Sequence, residues 1–293
     1  MKLSGATFIR NAVIYHYPVV ASVKSILPLC DELIINLGKS DDHTEELIRQ
    51  IKSEKIKIIE SSWDLSLRKH GLVLSQQSNL AIDNCTGDWI FYLQADEVVH
   101  ENDYEKIYQA VKTAENDRRV DALVFDFIHF YGSAFTYQNA RNWYKQEVRI
   151  IRNNKQIRSF GDAQGFRYLN GDKPRARHTS AKIYHYGWAR PPAVMKTKTI
   201  DFNRLWHEDE NYIEQLKRKK IEEMYADLDT LQIFTGTHPK SIYEDPELMN
   251  LENFLFILQL KEKVLQRLSL GQKIKSLVRR LPIGQYKGFK LVK

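Results

Sequence analysis

The chain has 293 residues, 43% of them hydrophobic, and a formal net charge of +7. That length and apolar content suit one large or two modest globular domains and exclude a disordered or fibrous polymer. No apolar run reaches the roughly 18 residues that span a bilayer, and the N-terminus lacks the pattern of a secretory leader, so a cytoplasmic protein is expected.

In chain order, "ATFI" predicts a first strand, and the segment from Pro18 to Pro28 predicts a helix through Val19, Val20, Val23, Ile26 and Leu27. "ELIINL" predicts the second strand, followed by a helix with Asp42 as its cap, Glu45 three residues on, and Leu47, Ile48 and Ile51 on one face. "IKII" at 56–59 predicts the third strand, residues 71–85 the third helix, and "WIFYL" at 89–93 a fourth strand, apolar throughout as a central parallel strand must be. Residues 103–114 read as helical, "ALVFDFIHF", "EVRII" and "KIYHYG" as strands, and 200–260 as mostly helical. The expected organisation is an α/β domain over 1–200, a helical extension over 201–260 and a basic amphipathic segment over 261–293.

The polar residues cluster where these strands end. Strand one runs into Arg10 and Asn11, strand two into Gly38, Lys39, Ser40 and Asp41, strand three into Trp63 and Asp64, and strand four into Gln94, Asp96 and Glu97. In an open parallel sheet, ligands bind beyond the carboxyl ends of the strands, where helix N-termini present unpaired N–H groups. A rim rich in donors with carboxylates beside it suits a nucleoside diphosphate and Mg²⁺ or Mn²⁺. The bland alternative, strands that simply end in polar loops, stays open on this pattern alone. Neither G-x-G-x-x-G nor G-x-x-x-x-G-K-[ST] is present, which argues against a dinucleotide oxidoreductase or a P-loop ATPase.

The succession of "FIRNA", "DELIINLGKSDDHTEELI", "SQQSNLAIDNCTGDWIFYLQADE" and "YHYG" resembles family 2 glycosyltransferases of the GT-A fold, in the bacterial branch with a D-A-D-E motif, here Q-A-D-E. The resemblance covers roughly residues 5–190. It implies a Rossmann-like nucleotide-sugar-binding sheet, an α+β acceptor half and C-terminal helices. It further implies transfer of a sugar from a nucleotide sugar, UDP-linked by expectation, to a glycan or lipid-linked acceptor in surface polysaccharide or lipopolysaccharide assembly. By the same resemblance Asp96 holds the metal, Mn²⁺ or Mg²⁺, with His185 as a second ligand, and Gln94, Ala95 and Asn79 fall in the nucleotide-sugar motif.

Two departures stand out. Gln94 replaces the first acid of D-x-D; an amide can hydrogen-bond a ribose hydroxyl but is a poor metal ligand. Where the family places an Asp for the base, this chain reads Asn36, Leu37 and Gly38, so base recognition is assigned to Arg10, Asn36 or Lys39, with Asn11 and Asp41 beside them. An inverting transfer needs a carboxylate to take the acceptor's proton. Asp162, in the loop "SFGDAQGFR", is preferred over Glu147 in "YKQEVRII". Arg190, Lys196 and Lys198 are expected to close over the diphosphate, and Trp188 to stack on a sugar or merely pack. His238 receives no role.

Two rival readings stand beside this one. One is a metal-dependent phosphodiesterase or nucleotidyltransferase using Asp96, Glu97, His100 and His185; the other is a non-catalytic nucleotide-sugar-binding protein. The two cysteines, Cys30 and Cys85, fit no metal spacing. From Lys261 onward ten Lys or Arg face one acid, Glu262, a net +9 that leaves −2 for the rest of the chain. A basic tail on a mildly acidic body argues against nucleic acid as a partner. In 261–281 an apolar side of Val264, Leu268, Ile274, Leu277, Val278 and Leu281 predicts a helix suited either to an anionic inner leaflet or to packing on the body.

Overall fold

Strands buried on both faces come first in the chain, and they set the position of everything that follows. The computed structural model describes residues 1–67, 69–204, 209–281 and 287–292. Residues 205–208 and 282–286 and Lys293, which fall within the expected helical and basic segments, lie outside the described residues. The elements are β1 (Leu3–Ile9), α1 (Val19–Ile26), β2 (Glu32–Gly38), α2 (Thr44–Arg49), β3 (Ile56–Ser61), α3 (Leu72–Asp83), β4 (Trp89–Tyr92), β5 (Glu97–Val99) and α4 (Tyr104–Glu115). Then come β6 (Ala122–Tyr131), β7 (Ser133–Gln138), β8 (Gln146–Arg152), β9 (Ile157–Phe160), β10 (Gly165–Tyr168), β11 (Arg175–Trp188), α5 (Pro192–Arg204), α6 (Glu210–Arg218), β12 (Leu231–Ile233), α7 (Lys240–Tyr243), α8 (Leu251–Arg267), α9 (Leu270–Arg279) and β13 (Lys290–Leu291).

The main sheet runs β3-β2-β1-β4-β8-β6 and continues through β7 to β12, with β11 along the other edge of β6. The strands from β1 to β4 are parallel, and β8 is antiparallel to both β4 and β6, which makes the sheet mixed. Period-two alternation sorts the two faces. Leu33, Ile35 and Leu37 of β2 belong to the core layer that includes α1 and α4, whereas Ile34 belongs to the opposite layer with Val73, Ala81 and Ile82 of α3. All four residues of β4 are fully buried, which explains its unbroken apolar sequence. The chain builds β1, β2 and β3 outward in one direction and then returns to place β4 on the other side of β1. The crevice beyond the β1 and β4 carboxyl ends is therefore the topological switch point.

Several expectations change in detail. The Asp42 carboxylate accepts the N–H of Thr44 at 3.0 Å and of Ile14 at 2.8 Å, so it ties the β1 loop to the start of α2, and Glu45 does not reach back to it. The expected continuous helix over 261–281 is broken at Ser269, whose hydroxyl accepts from Gln272 and starts α9 afresh. Helix α5 runs through residue 200, and β12 and β13 both join the main sheet. Short strands β5, β7, β9, β10, β12 and β13 carried too little pattern to be read from sequence.

Candidate active site

A cleft of about 320 Å³ opens at the switch point. Of the residues chosen from sequence, Arg10, Gln94, Ala95, Asp96, Asp162 and His185 line it, together with Trp63, Trp188 and Lys198. Three devices bring them together.

The first is the pairing of β5 with β11. Glu97 lies opposite His185, and the N–H of Tyr186 donates to the Asp96 carbonyl at 2.8 Å. This sets Asp96 Oδ2 3.6 Å from His185 Nε2. An irregularity in β11 after His185 then turns Gly187 and Trp188 toward the cleft. A Cβ on Gly187 would collide with both Asp96 Oδ2 and His185 Nε2, so these side chains can pack this closely on the β11 backbone only because residue 187 is glycine. Lys198 from α5 completes this corner: its buried Nζ donates to the Gly187 carbonyl at 2.6 Å and lies 3.5 Å from Asp96 Oδ2. Burial opposes ionisation of Asp96, but the neighbouring His185, Lys198 and Arg190 outweigh it and hold the carboxyl well below the usual range. Burial pulls Lys198 down to about 8.

The second device is a buried ion pair. Arg149 of β8 grips Glu97 through two contacts of 2.7 and 2.6 Å, and both side chains are 0% exposed. The same guanidinium donates to the Gln164 carbonyl at 2.8 Å, and Gln94 Nε2 donates to the Ala163 carbonyl at 3.1 Å. Together they hold the Asp162 loop, where Gly161 and Ala163 both have positive φ. Burial raises the Asp162 pKa.

The third is the lacing of the first two loops. Arg10 donates to the Lys39 carbonyl at 2.9 Å and to Asp41 at 3.0 Å, and its guanidinium lies over the Trp63 ring at 5.3 Å. Asn11, in a left-handed conformation, exchanges hydrogen bonds with Asp41 of 2.8 and 3.2 Å.

Other choices fall elsewhere. Asn36 is 0% exposed and donates to Gln77 under α3, so it has no access to the cleft. Asn79 exchanges hydrogen bonds with the Ser159 backbone and joins α3 to β9. Glu147 is buried against Gly165 and Gly288, away from the cleft lining. The Lys39 side chain is exposed on the adjacent rim, and Lys196 donates to the Lys219 carbonyl. Glu97 is held by Arg149 and His100 bonds Thr237 at 3.0 Å, so the hydrolytic quartet of Asp96, Glu97, His100 and His185 is not assembled. Arg190 is 1% exposed, behind Tyr17, and its Nε and Nη2 lack hydrogen-bond partners among the described residues.

Sequence reasoning missed Tyr17, Trp143, Tyr144 and His129, all of which line the cleft. The available signal for His129 was a polar residue interrupting the inward-facing alternation of Phe125, Phe127 and Tyr131 on β6.

Asp96 and His185 set one carboxylate oxygen and one imidazole nitrogen 3.6 Å apart, donor types that suit Mn²⁺, although among the described residues no third His, Cys, Asp or Glu joins them.

A model of glycosyl transferase family 2 matches residues 15–172. Among solved structures, Staphylococcus aureus TarS aligns at 12% identity and a TM-score of 0.40 over 77% of this chain and 44% of TarS. TarS 1-349 in complex with UDP aligns at 15% identity and a TM-score of 0.40 over 76% and 70%. Glucosyl-3-phosphoglycerate synthase from Mycobacterium tuberculosis, solved with Mn²⁺, UDP and phosphoglyceric acid, aligns at 16% identity and a TM-score of 0.29 over 43% of each chain. The chain thus spans less than half the length of the first of these. A search of curated proteins finds no match.

Proposed function

The chain belongs to the family 2 glycosyltransferases, and from that premise we propose that its cleft binds a nucleoside-diphosphate sugar and passes the sugar, with inversion, to a hydroxyl of a glycan or lipid-linked acceptor. The observation that carries the reading is one buried corner in which Asp96, His185 and Lys198 converge at the β1/β4 crevice, with Asp162 on the lining of the same cleft.

Arg10, with Asn11, Asp41 and Lys39 around it, flanks the nucleoside, for which uracil is the expected base. The diphosphate lies by Lys198, and the buried Arg190 behind Tyr17 adds positive potential to the same corner. Asp96 and His185 would hold Mn²⁺ or Mg²⁺. Such an ion neutralises charge on the departing diphosphate. With two protein ligands, ion affinity should be low until the nucleotide supplies more oxygens. Gln94 is assigned to the Asp162 loop, because only an amide, and not the aspartate it replaces, can donate to the Ala163 carbonyl. Asp162 takes the acceptor's proton as its oxygen attacks the anomeric carbon.

Among the described residues no helix is long and apolar enough to cross a membrane. Helix α9, however, is fastened to the body by its polar side. Arg279 pairs with Asp227 and Asp229, and the Ser276 hydroxyl donates to the Asp229 carbonyl. Leu270, Ile274, Leu277, Val278 and Leu281 face outward, from 47% to 76% exposed, beside Lys273 and Lys275. This apolar face with a basic border suits an anionic lipid surface, such as the inner leaflet, and would bring the cleft to a lipid-linked acceptor of surface-polysaccharide assembly.

The catalytic part is tested by Asp162→Asn with a donor chosen from a nucleotide-sugar panel. Turnover should fall by about 10²- to 10⁴-fold while UDP affinity is retained. Unimpaired turnover would remove Asp162 as the base.

A further inference from the structure

We propose that Trp63 receives the nucleobase, by stacking, on an apolar wall of the cleft; this rests on the reading of the cleft as a nucleoside-diphosphate site.

The cleft is lined unequally. Asp96, His185 and Lys198 gather at one corner, whereas Phe8, Trp63 and Phe202 line it as parts of one hydrophobic cluster with Leu74 of α3. A diphosphate suits the charged corner, and the part of a nucleotide that suits the other wall is its flat, largely apolar base.

The local structure puts an indole on that wall. Ser61, the last residue of β3, pairs with Gly38, the last of β2, so Trp63 lies just beyond the carboxyl ends of the parallel strands. A Cβ on Gly38 would collide with Trp63 Nε1, so the edge of the indole occupies the place that a side chain at the end of β2 would fill. Asn36, the other β2 residue expected to read the base, is turned under α3. The base is therefore met from this side by a ring.

That ring is held. Phe8 meets it edge-on at 5.9 Å, and the Arg10 guanidinium lies over it at 5.3 Å, itself tied to the Lys39 carbonyl and to Asp41. Trp63 nevertheless stays only part-buried, with its open surface on the cleft. Stacking a planar base on such a ring needs no matching pattern of donors and acceptors, and little side-chain freedom is lost because the ring is already fixed.

The test titrates the full chain and its variants Trp63→Ala, Trp63→Phe and Gly38→Ala with UDP and with pyrophosphate, which has the charge and lacks the base. Trp63→Ala should weaken UDP binding by about 5- to 150-fold, the loss of one stacked base, and Trp63→Phe should recover most of it. Gly38→Ala keeps the indole but forces it from its place, and should weaken UDP as well. Pyrophosphate affinity should be the same in all four proteins, which also shows that the charged corner is folded. At saturation UDP should quench tryptophan emission less in Trp63→Phe than in the parent, a difference that a merely structural role would not produce. Where Trp63→Ala does not fold, the Gly38→Ala titration and the Trp63→Phe emission decide. Undiminished UDP affinity in Trp63→Ala, or an equal loss for pyrophosphate, overturns the role of Trp63 and leaves the parent's diphosphate site standing. UDP binding no tighter than pyrophosphate in the parent overturns it too, and a parent that binds neither ligand overturns both readings.

Discussion

Asp162 is held between two left-handed residues on a loop gripped from both sides, and burial raises its pKa above the ordinary carboxylate value. A base must be ionised to work, so the rate requires pH above that raised value. The acid limb of kcat/KM for transfer should therefore lie above the usual carboxylate range, and Asp162→Asn should abolish that limb; a limb unchanged in the variant would detach it from Asp162. Single residues were unevenly legible in the sequence. Asp96, Gln94, Arg10 and His185 were found because each follows directly on a strand end or ends a motif, where local order decides position. Asn36 was expected at the base, Asn79 in the nucleotide-sugar motif and Glu147 as an alternative base for the acceptor, yet their side chains face into packed layers. Which face a polar residue of β2 takes depends on whether α3 covers it, and that is a tertiary fact. His129 and Tyr144 escaped notice for the converse reason, since distant segments bring them to the cleft.

At the scale of elements, the joint between β5 and β8 matters most. Arg149 and Glu97 are both fully buried, and the guanidinium also holds the backbone of the Asp162 loop. Removing one partner strands a charge in a place that water does not reach. Arg149→Leu should lower stability by about 3–5 kcal/mol in denaturant unfolding. A loss within about 0.5 kcal/mol, the range of an ordinary surface change, would mean that the pair does not hold this joint together. The long elements were readable because their apolar pattern is sustained: α1, α3, α4 and β4 stand within a few residues of their expected spans. The three-residue strands were not, because a run so short has no period, and the extended backbone of β5 is fixed by β11, more than eighty residues downstream.

For the whole molecule, the alternation of strands and helices was legible as a parallel sheet, whereas the order β3-β2-β1-β4, which places the cleft at the switch point, comes from the structure alone. The C-terminal part was legible in its charge and not in its geometry. The amphipathic pattern left the choice between packing and exposure open, and docking through Arg279 and Ser276 leaves the apolar side outward. Replacing Leu270, Ile274 and Leu277 together with Glu should abolish co-sedimentation with vesicles rich in anionic lipid and leave UDP binding intact. Equal sedimentation of parent and variant would refute the lipid contact. The central claim, that Asp96 is the anchor of a cation-assisted diphosphate site, is tested most directly by calorimetric titration of UDP with and without Mn²⁺, on the parent and on Asp96→Asn. The account predicts that Mn²⁺ tightens UDP binding in the parent and has no effect in the variant. Tightening that survives the substitution would contradict it.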